Sequence, residues 1–212
     1  MEINAERVIE LVKSVRPLFM DHERASRITV KGAADFVTQV DFLVQERMRS
    51  GLFDMYPQVQ FMGEEKDNRD IDFSGAVWIL DPVDGTTNLI HDFRCSALSL
   101  ALCDRGQMEL GIIYQPYEDE LFLAQRGKGA FLNGNPIHVS SVKDLGQSLI
   151  SIGTSPYNHD LADRNFEDIK RVFLKCSDIR RTGSAAVDLA YVACGRLDAY
   201  FERCLNPWDF AA

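Results

Sequence analysis

Two aspartates stand three positions apart at the end of an apolar run, with Gly-Thr-Thr-Asn directly behind: Asp81-Pro82-Val83-Asp84-Gly85-Thr86-Thr87-Asn88. Carboxylates at that spacing offer oxygen ligands to a hard cation. Gly85 permits close backbone approach by a ligand. Thr86 and Thr87 add hydroxyls and, where a helix or nest begins, free N–H groups that suit phosphate. One loop thus carries ligands for a cation and donors for an anion. A bare Asp-Gly is ordinarily a turn, but a turn alone does not account for the second acid, the threonines and the asparagine around it.

The elements that must position these groups follow from patterning. Ala76 to Leu80 reads as a buried strand, short and continuously apolar with a turn signal after it. Pro82 cannot donate to a ladder, so the strand is expected to stop there and to leave Asp81 and Asp84 on a loop, where sites are commonly built. Val59 to Met62 is a second short strand, ending in Gly63-Glu64-Glu65. Paired glutamates after a glycine read, by themselves, as solvated surface. Asp41 precedes Phe42, Leu43, Val44, Arg47, Met48 and Leu52, a helical pattern to about Tyr56. An acid in a first turn is favoured by the helix dipole. Before it, Asn4 can cap a helix with Val8, Ile9, Leu11, Val12, Val15, Leu18 and Phe19 on one face, kinked near Pro17 and ending by Arg24. Ile28 to Gly32 reads as a strand running into a mobile loop.

After the motif, Ser96–Leu102, Gly111–Tyr114, Leu121–Ala124 and Ala130–Leu132 read as successive strands separated by turns, among them Asn133 to Pro136. They form an antiparallel meander covered by the two amino-terminal helices. Beyond a boundary near Val139 to Asp144, strands at Leu149–Ile152, Ser177–Arg180 and Ala199–Phe201 alternate with helices, the second capped by Ser184 and closed by Gly195. The fold class is therefore layered α+β: residues 1–140 form a mostly antiparallel sheet with two helices, and residues 141–212 a smaller α/β unit.

The chain has 212 residues, 46% hydrophobic, with a net charge of −9. That balance supports a globular core and argues against a nucleic-acid binder, because phosphate backbones attract basic faces. The amino terminus lacks a basic region followed by an apolar one, and no apolar run approaches a membrane span. Five cysteines, an odd number without Cys-X-X-Cys, suggest neither a disulfide framework nor a zinc knuckle. Most read as core thiols in a reducing cytoplasm. The four scattered histidines read as surface or loop residues.

Asp-Pro-X-Asp-Gly-Thr-X-Asn, preceded by Gly63-Glu64-Glu65 and followed far downstream by Trp208-Asp209-Phe210-Ala211-Ala212, resembles the inositol monophosphatase family of magnesium-dependent phosphatases. The resemblance implies a sandwich of alternating α and β layers and two or three Mg2+ ions per site. By this resemblance Glu64, Asp81 and the Val83 carbonyl hold one ion, and Asp81, Asp84 and Asp209 a second. Thr86, hydrogen-bonded to Asp41, orients an attacking water and helps accept its proton, with Glu64 assisting. The N–H groups of Gly85 and Thr86 bind phosphate. Asp84, Ser184, the Ala185 backbone and Glu202 hold a polyol, Glu202 standing seven residues before Asp209. Ser184 has two readings, helix cap and substrate contact.

The implied reaction is hydrolysis of a phosphate monoester, inositol monophosphate first among candidates. Related enzymes cleave sugar bisphosphates or 3′-phosphoadenosine 5′-phosphate. Those would need a basic cluster for the second phosphate, and Lys31, Arg180 and Arg181 are its candidates. A non-catalytic, partner-binding role of the same fold, for example with transcription machinery, is a separate alternative. The resemblance also implies a cytoplasmic homodimer, no membrane association, and a family domain that continues past the Trp-Asp segment. Leu89 replaces a common phenylalanine and Arg94 a frequent proline, changes expected to touch packing and the cleft rim.

Overall fold

The computed structural model describes residues 3–32 and 35–212. The single kinked helix expected at the amino terminus is three pieces, α1 (Ala5–Lys13), α2 (Arg16–Phe19) and α3 (His22–Ala25). Asn4 caps the first, its Oδ1 accepting the Arg7 N–H at 3.1 Å. Pro17 sits in the first turn of the second, where its missing N–H has no partner to lose. Asp21 caps the third. Strand β1 (Ile28–Gly32) pairs antiparallel with β2 (Asp35–Thr38). The loop expected to be mobile after Gly32 falls on residues 33–34, outside the described residues.

Helix α4 (Gln39–Met55) starts one turn earlier than its apolar pattern suggests, because Thr38 and Asp41 form a reciprocal capping box. Then come β3 (Gln60–Gly63), β4 (Ala76–Asp84), α5 (Thr86–Ile90), β5 (Ala97–Asp104), β6 (Gln107–Gln115), β7 (Glu120–Gln125), β8 (Gly129–Leu132) and β9 (Asn135–Pro136). These seven strands form one sheet in sequence order, parallel at β3–β4 and antiparallel elsewhere. β9 is a two-residue strand where a turn was expected.

The expectation that β4 ends at Pro82 is overturned. The strand continues to Asp84 through a bulge: Asp81 pairs with Ser99 and Asp84 with Ala97, so β4 carries one residue more than β5 between them. An extra residue in a bulge is not required to donate to the ladder, which is where a sheet tolerates proline.

The second sheet contains β10 (Leu149–Ile152), β11 (Asp178–Arg180) and β12 (Ala199–Phe201), all parallel, in the order β11-β10-β12. Helix α6 (Ala162–Phe173) connects β10 to β11 and α7 (Ala185–Ala193) connects β11 to β12; α8 (Pro207–Phe210) follows. Parallel strands need such crossovers.

Burial explains the layering. β4 alternates between faces: Trp78 and Leu80 join Val8, Val12, Phe19, Val44, Met48 and Leu52 of the amino-terminal helices, while Val77 and Ile79 face a cluster that includes Trp208 and Ala211. A strand covered on both sides reads as a continuous apolar run rather than an alternating one. Further along, Ala97, Ile113 and Phe122 meet Ala186, Val187 and Ala190 of α7. Helices, large sheet, α7 and small sheet thus stack as α and β layers.

The cysteine expectation holds only in part. All five are free, Cys103 is buried, Cys204 is exposed and the other three are partly buried. Among the described residues no helix is long and apolar enough to cross a membrane.

Leu100 lies on the central strand β5, fully buried against the helices. Leu100→Ala is expected to lower the unfolding free energy by about 3 kcal/mol, with a residual cavity. Urea unfolding, read as a shift in midpoint at constant slope, measures it.

Candidate active site

The site gathers where β3 and β4 end. The parallel ladder carries Glu64 just past the end of β3, its N–H donating to the Leu80 carbonyl at 3.1 Å. The bulge in β4 then turns Asp81 and Asp84 out of strict alternation. Asp81 is buried and accepts the Val83 N–H at 3.0 Å. Gly85 follows with φ of 89°, a left-handed conformation in which a side chain would be strained. A Cβ there would also stand 3.1 Å from the carbonyl oxygens of Cys95 and Gly183. Glycine therefore lets this loop meet the second unit and start α5, whose first N–H groups have no intrahelical partners.

Asp41 and Thr86 meet as the sequence suggested. The Thr86 hydroxyl lies 3.1 Å from Asp41 Oδ1 and 3.0 Å from the Val83 carbonyl. It has one proton, so the two acceptors compete for it. Asp41 Oδ2 accepts from the Thr38 N–H and hydroxyl at 2.8 and 2.6 Å. Asp41 is thus both a capping residue and the partner of Thr86. Burial pushes its pKa up to about 6, against the opposing pull of the Thr38 and Thr86 donors.

Residues around the second sheet and its helices close the cleft. Ser184 caps α7 through the Val187 N–H and at the same time donates its hydroxyl to Asp84 Oδ2 at 2.6 Å. The Ala186 N–H donates to the same oxygen at 2.6 Å, and the Ala185 N–H also stabilises the charged form. Of the two readings of Ser184, the helix cap is the contact observed here, and the hydroxyl proton is engaged by Asp84. Glu202 follows β12, with Oε1 accepting the Ser155 N–H at 2.9 Å and Oε2 the Tyr200 hydroxyl. A Cβ on Gly153 would fall 1.9 Å from the Glu202 carboxyl carbon, so a side chain there would displace that acid from its present position. Asp209 caps α8 by accepting the Asn206 N–H at 2.6 Å. The Ser99 hydroxyl, donating to the Trp208 carbonyl at 3.0 Å, holds α8 on β5.

Glu64, Asp81, Val83, Asp84, Gly85, Thr86, Ser184, Ala185, Glu202 and Asp209 line one cleft; Asp41 stands behind Thr86. Asp188, Gly153 and Arg181 line it as well. Sequence reasoning passed over Asp188, although it is the sole charged residue in the apolar helix Ala185–Ala193. It also left Asn88 without a role. That side chain is buried and its amide donates to the carbonyls of Cys95 at 2.6 Å and Thr182 at 2.9 Å, clasping the motif loop to the loop before α7. Of the three cations considered for a second phosphate, Arg181 lines the cleft and Arg180 pairs with Asp178. The Lys31 side chain lies outside the described residues. Leu89 is buried in the main core, a packing position as expected.

The charges are concentrated. Asp81 is raised well above the usual carboxylate range, first by burial and then by the neighbouring charges of Glu64, Asp84 and Asp209. Burial raises Asp84 to about 6, opposed by its Ser184, Ala186 and Ala185 donors. Asp209 rises to about 7 through burial, with Asp84 and Glu202 adding to it. Carboxylates that repel one another in a half-buried cleft call for protons or cations. All-oxygen donors fit a hard divalent ion such as Mg2+. Among the described residues, however, no three acidic, histidine or cysteine side chains already stand in ligating geometry. Asp84 is held by donors at the start of α7 and Asp209 by the Asn206 N–H, so the donor set fits in chemistry and needs side-chain rotation to close on an ion.

The layered α and β fold thus presents an acid-lined cleft at its strand ends, with the start of α5 and a Thr–Asp pair beside it. The model of the inositol monophosphatase family matches residues 1–212, and the chain belongs to that family. An inositol monophosphatase of Dictyostelium discoideum is 37% identical over 98% of this chain and 78% of its own length. The Nus factor SuhB of Vibrio cholerae serotype O1 is 42% identical over 90% of this chain and 72% of its own. The crystal structure of extragenic suppressor protein suhB from Bartonella henselae superposes with a TM-score of 0.91 at 34% identity, covering 98% of this chain and 81% of that one.

The pKa shifts fix the sign of a pH dependence. Asp41, Asp84 and Asp209 hold protons in the folded state up to about 6, 6 and 7, whereas the unfolded chain releases them near 3.8. The folded state then binds more protons, so stability falls as pH rises through that window. In chelator, the melting temperature is expected to be lower at neutral pH than near pH 5. Saturating Mg2+ is expected to remove most of that difference, because binding to the folded state alone stabilises it. Thermal melts across pH with and without the ion test both statements.

Proposed function

We propose that this chain is a Mg2+-dependent hydrolase of phosphate monoesters, with an inositol monophosphate as its preferred substrate. The contact between the Thr86 hydroxyl and Asp41 beside the acid-lined cleft carries the reading. Glu64, Asp81 and the Val83 carbonyl are the groups to hold one Mg2+, and Asp81, Asp84 and Asp209 those to hold another. When bound, Mg2+ supplies charge neutralisation at the phosphoryl group and a lowered pKa for water.

The chain's own groups do the rest. The Thr86 oxygen accepts a proton from the attacking water while its own proton passes to Asp41 Oδ1. A carboxylate raised to about 6 is placed to act as such a base near neutrality. Glu64, just past the end of β3, assists in orienting the water. The N–H groups of Gly85 and Thr86 bind phosphate oxygens at the start of α5. The P–O ester bond breaks, inorganic phosphate leaves, and the departing alcohol takes up a proton. Asp84, Ser184, the Ala185 backbone and Glu202 hold the alcohol's hydroxyls. No phosphorylated side chain forms on this route, so trapping one by rapid quench overturns it.

A second reading has its own observation. The Vibrio cholerae relative bears the name Nus factor SuhB, which supports a partner-binding role beside catalysis or instead of it. Capture of a partner that survives Asp84→Asn favours a role independent of the acids.

Phosphate release from inositol 1-phosphate, titrated with Mg2+, tests the first reading. Turnover is expected to require the ion. Thr86→Ala is expected to lower kcat about 100-fold, as for loss of a proton-transfer group, with little change in KM. Mg2+-independent turnover, or a Thr86→Ala enzyme of normal kcat, overturns the mechanism.

A further inference from the structure

Asp188 is the buried acid that the phosphate chemistry leaves unused. It stands three residues after Ala185, so the two share a face of α7, and both line the cleft. Only 1% of it is exposed. Its Oδ2 accepts the Thr182 hydroxyl at 2.8 Å. Its Oδ1 is buried and meets no donor in hydrogen-bond geometry. Burial raises the pKa of the group to about 6, opposed by the Ser151 and Thr182 hydroxyls, while the Ser151 hydroxyl lies in hydrogen-bond geometry with the Arg180 carbonyl, at 3.2 Å.

An acceptor left in this state bears its full desolvation penalty, and native structures leave few of them. The helix dipole explains why an acid suits this turn. It does not explain an acid with one oxygen tied and the other buried without a donor, at the wall of a cleft. Glu202 is the contrast, since each of its oxygens already has a donor from its own unit.

We propose that Asp188 is a specificity-determining residue whose Oδ1 accepts a hydrogen bond from a hydroxyl on the alcohol part of the substrate, so that the cleft selects polyhydroxylated phosphate monoesters. The Thr182 hydroxyl fixes the rotation of the carboxylate and so the direction of Oδ1. A hydroxyl supplies the missing donor; an alcohol without one leaves a buried acceptor unsatisfied. Sites of that construction discriminate strongly against analogues that lack the group. The inference rests on the phosphatase reading and deepens it.

A matched pair of substrates tests it: inositol 1-phosphate and cyclohexyl phosphate, which have the same six-membered ring with and without hydroxyls. Steady-state kinetics with saturating Mg2+ would be compared for the unmodified chain, Asp188→Ala and Asp188→Asn. Asp188→Ala is expected to lower kcat/KM for inositol 1-phosphate about tenfold more than for cyclohexyl phosphate, chiefly through KM. Asp188→Asn keeps the shape and the acceptor for Thr182, and its amide can still meet a hydroxyl oxygen. It is expected to show the same selectivity loss in smaller measure, and it decides the matter if the alanine variant does not fold. Equal losses on both substrates would mark Asp188 as a support for Thr182 and its loop and overturn the proposal. No loss on either, with Oδ1 served by water or a proton, overturns it too. If the unmodified chain cleaves neither substrate, the phosphatase reading falls and this one with it; if it cleaves both and the variants lose both alike, only the assignment of Asp188 falls.

Discussion

The constraint on which this structure turns is the mutual repulsion of carboxylates gathered at the end of β4. Asp81 is buried and feels Glu64, Asp84 and Asp209 together. Each acid is therefore supplied with a donor from nearby backbone or hydroxyl: Val83 N–H for Asp81, Ser184 and Ala186 for Asp84, Asn206 for Asp209, Thr38 for Asp41. These donors come from α4, the β4 bulge, α7 and α8. The β4 bulge and the starts of α7 and α8 thus bring donors to the central patch of negative charge, and the cap of α4 brings them to Asp41. Satisfaction is incomplete, since every one of these four pKa values stays raised. What remains is a standing affinity of the cleft for positive charge.

Asp84 shows how the two sheets become one site. It belongs to the large sheet, yet its carboxylate is held by Ser184 and Ala186 of α7. The Asn88 clasp fixes the same two loops a few residues away, through backbone carbonyls on either side. Gly85 suits that seam because its φ of 89° disfavours a side chain and a Cβ would crowd the Cys95 and Gly183 carbonyls at 3.1 Å. The hydrogen bonds across this seam join residues about 100 positions apart, so the geometry at Asp84 depends on packing throughout both units. Small displacements of α7 against β5 and β6 are therefore expressed directly at a proposed ion ligand.

Much of this was legible in the chain. The strands and helices follow from periodicity, and the motif string with Gly63-Glu64-Glu65 and Trp208-Asp209 pointed to the acids that line the cleft. The failures have physical causes. Pro82 reads as a strand end because proline breaks ladders, but a bulge removes the need for a ladder bond at that position. Pro17 reads as a kink because its place in a first turn depends on where a new helix starts. Asn88 and Asp188 escaped because their partners, Thr182 for both, are remote in sequence or hidden in a loop. A single acid in an otherwise apolar helix was the one local sign of Asp188.

The same raised pKa values that give the cleft its affinity for positive charge limit the stability of the fold. An acid whose folded pKa exceeds its unfolded one destabilises the fold near neutrality, and several do so here. The apolar contacts around β4 and β5 must offset that, and β4 is covered on both faces. Replacing the acids by neutral side chains would relieve the repulsion and orphan the donors now aimed at them, so the net sign depends on which acid is changed. Asp41, with donors from Thr38 and Thr86 and no part in the central cluster, has the most to lose in hydrogen bonds. Asp81, with one backbone donor and three repulsive neighbours, has the most repulsion to shed. A residue kept in spite of its cost to the fold is best explained by what it does in the cleft, and Asp81 is where that tension is greatest.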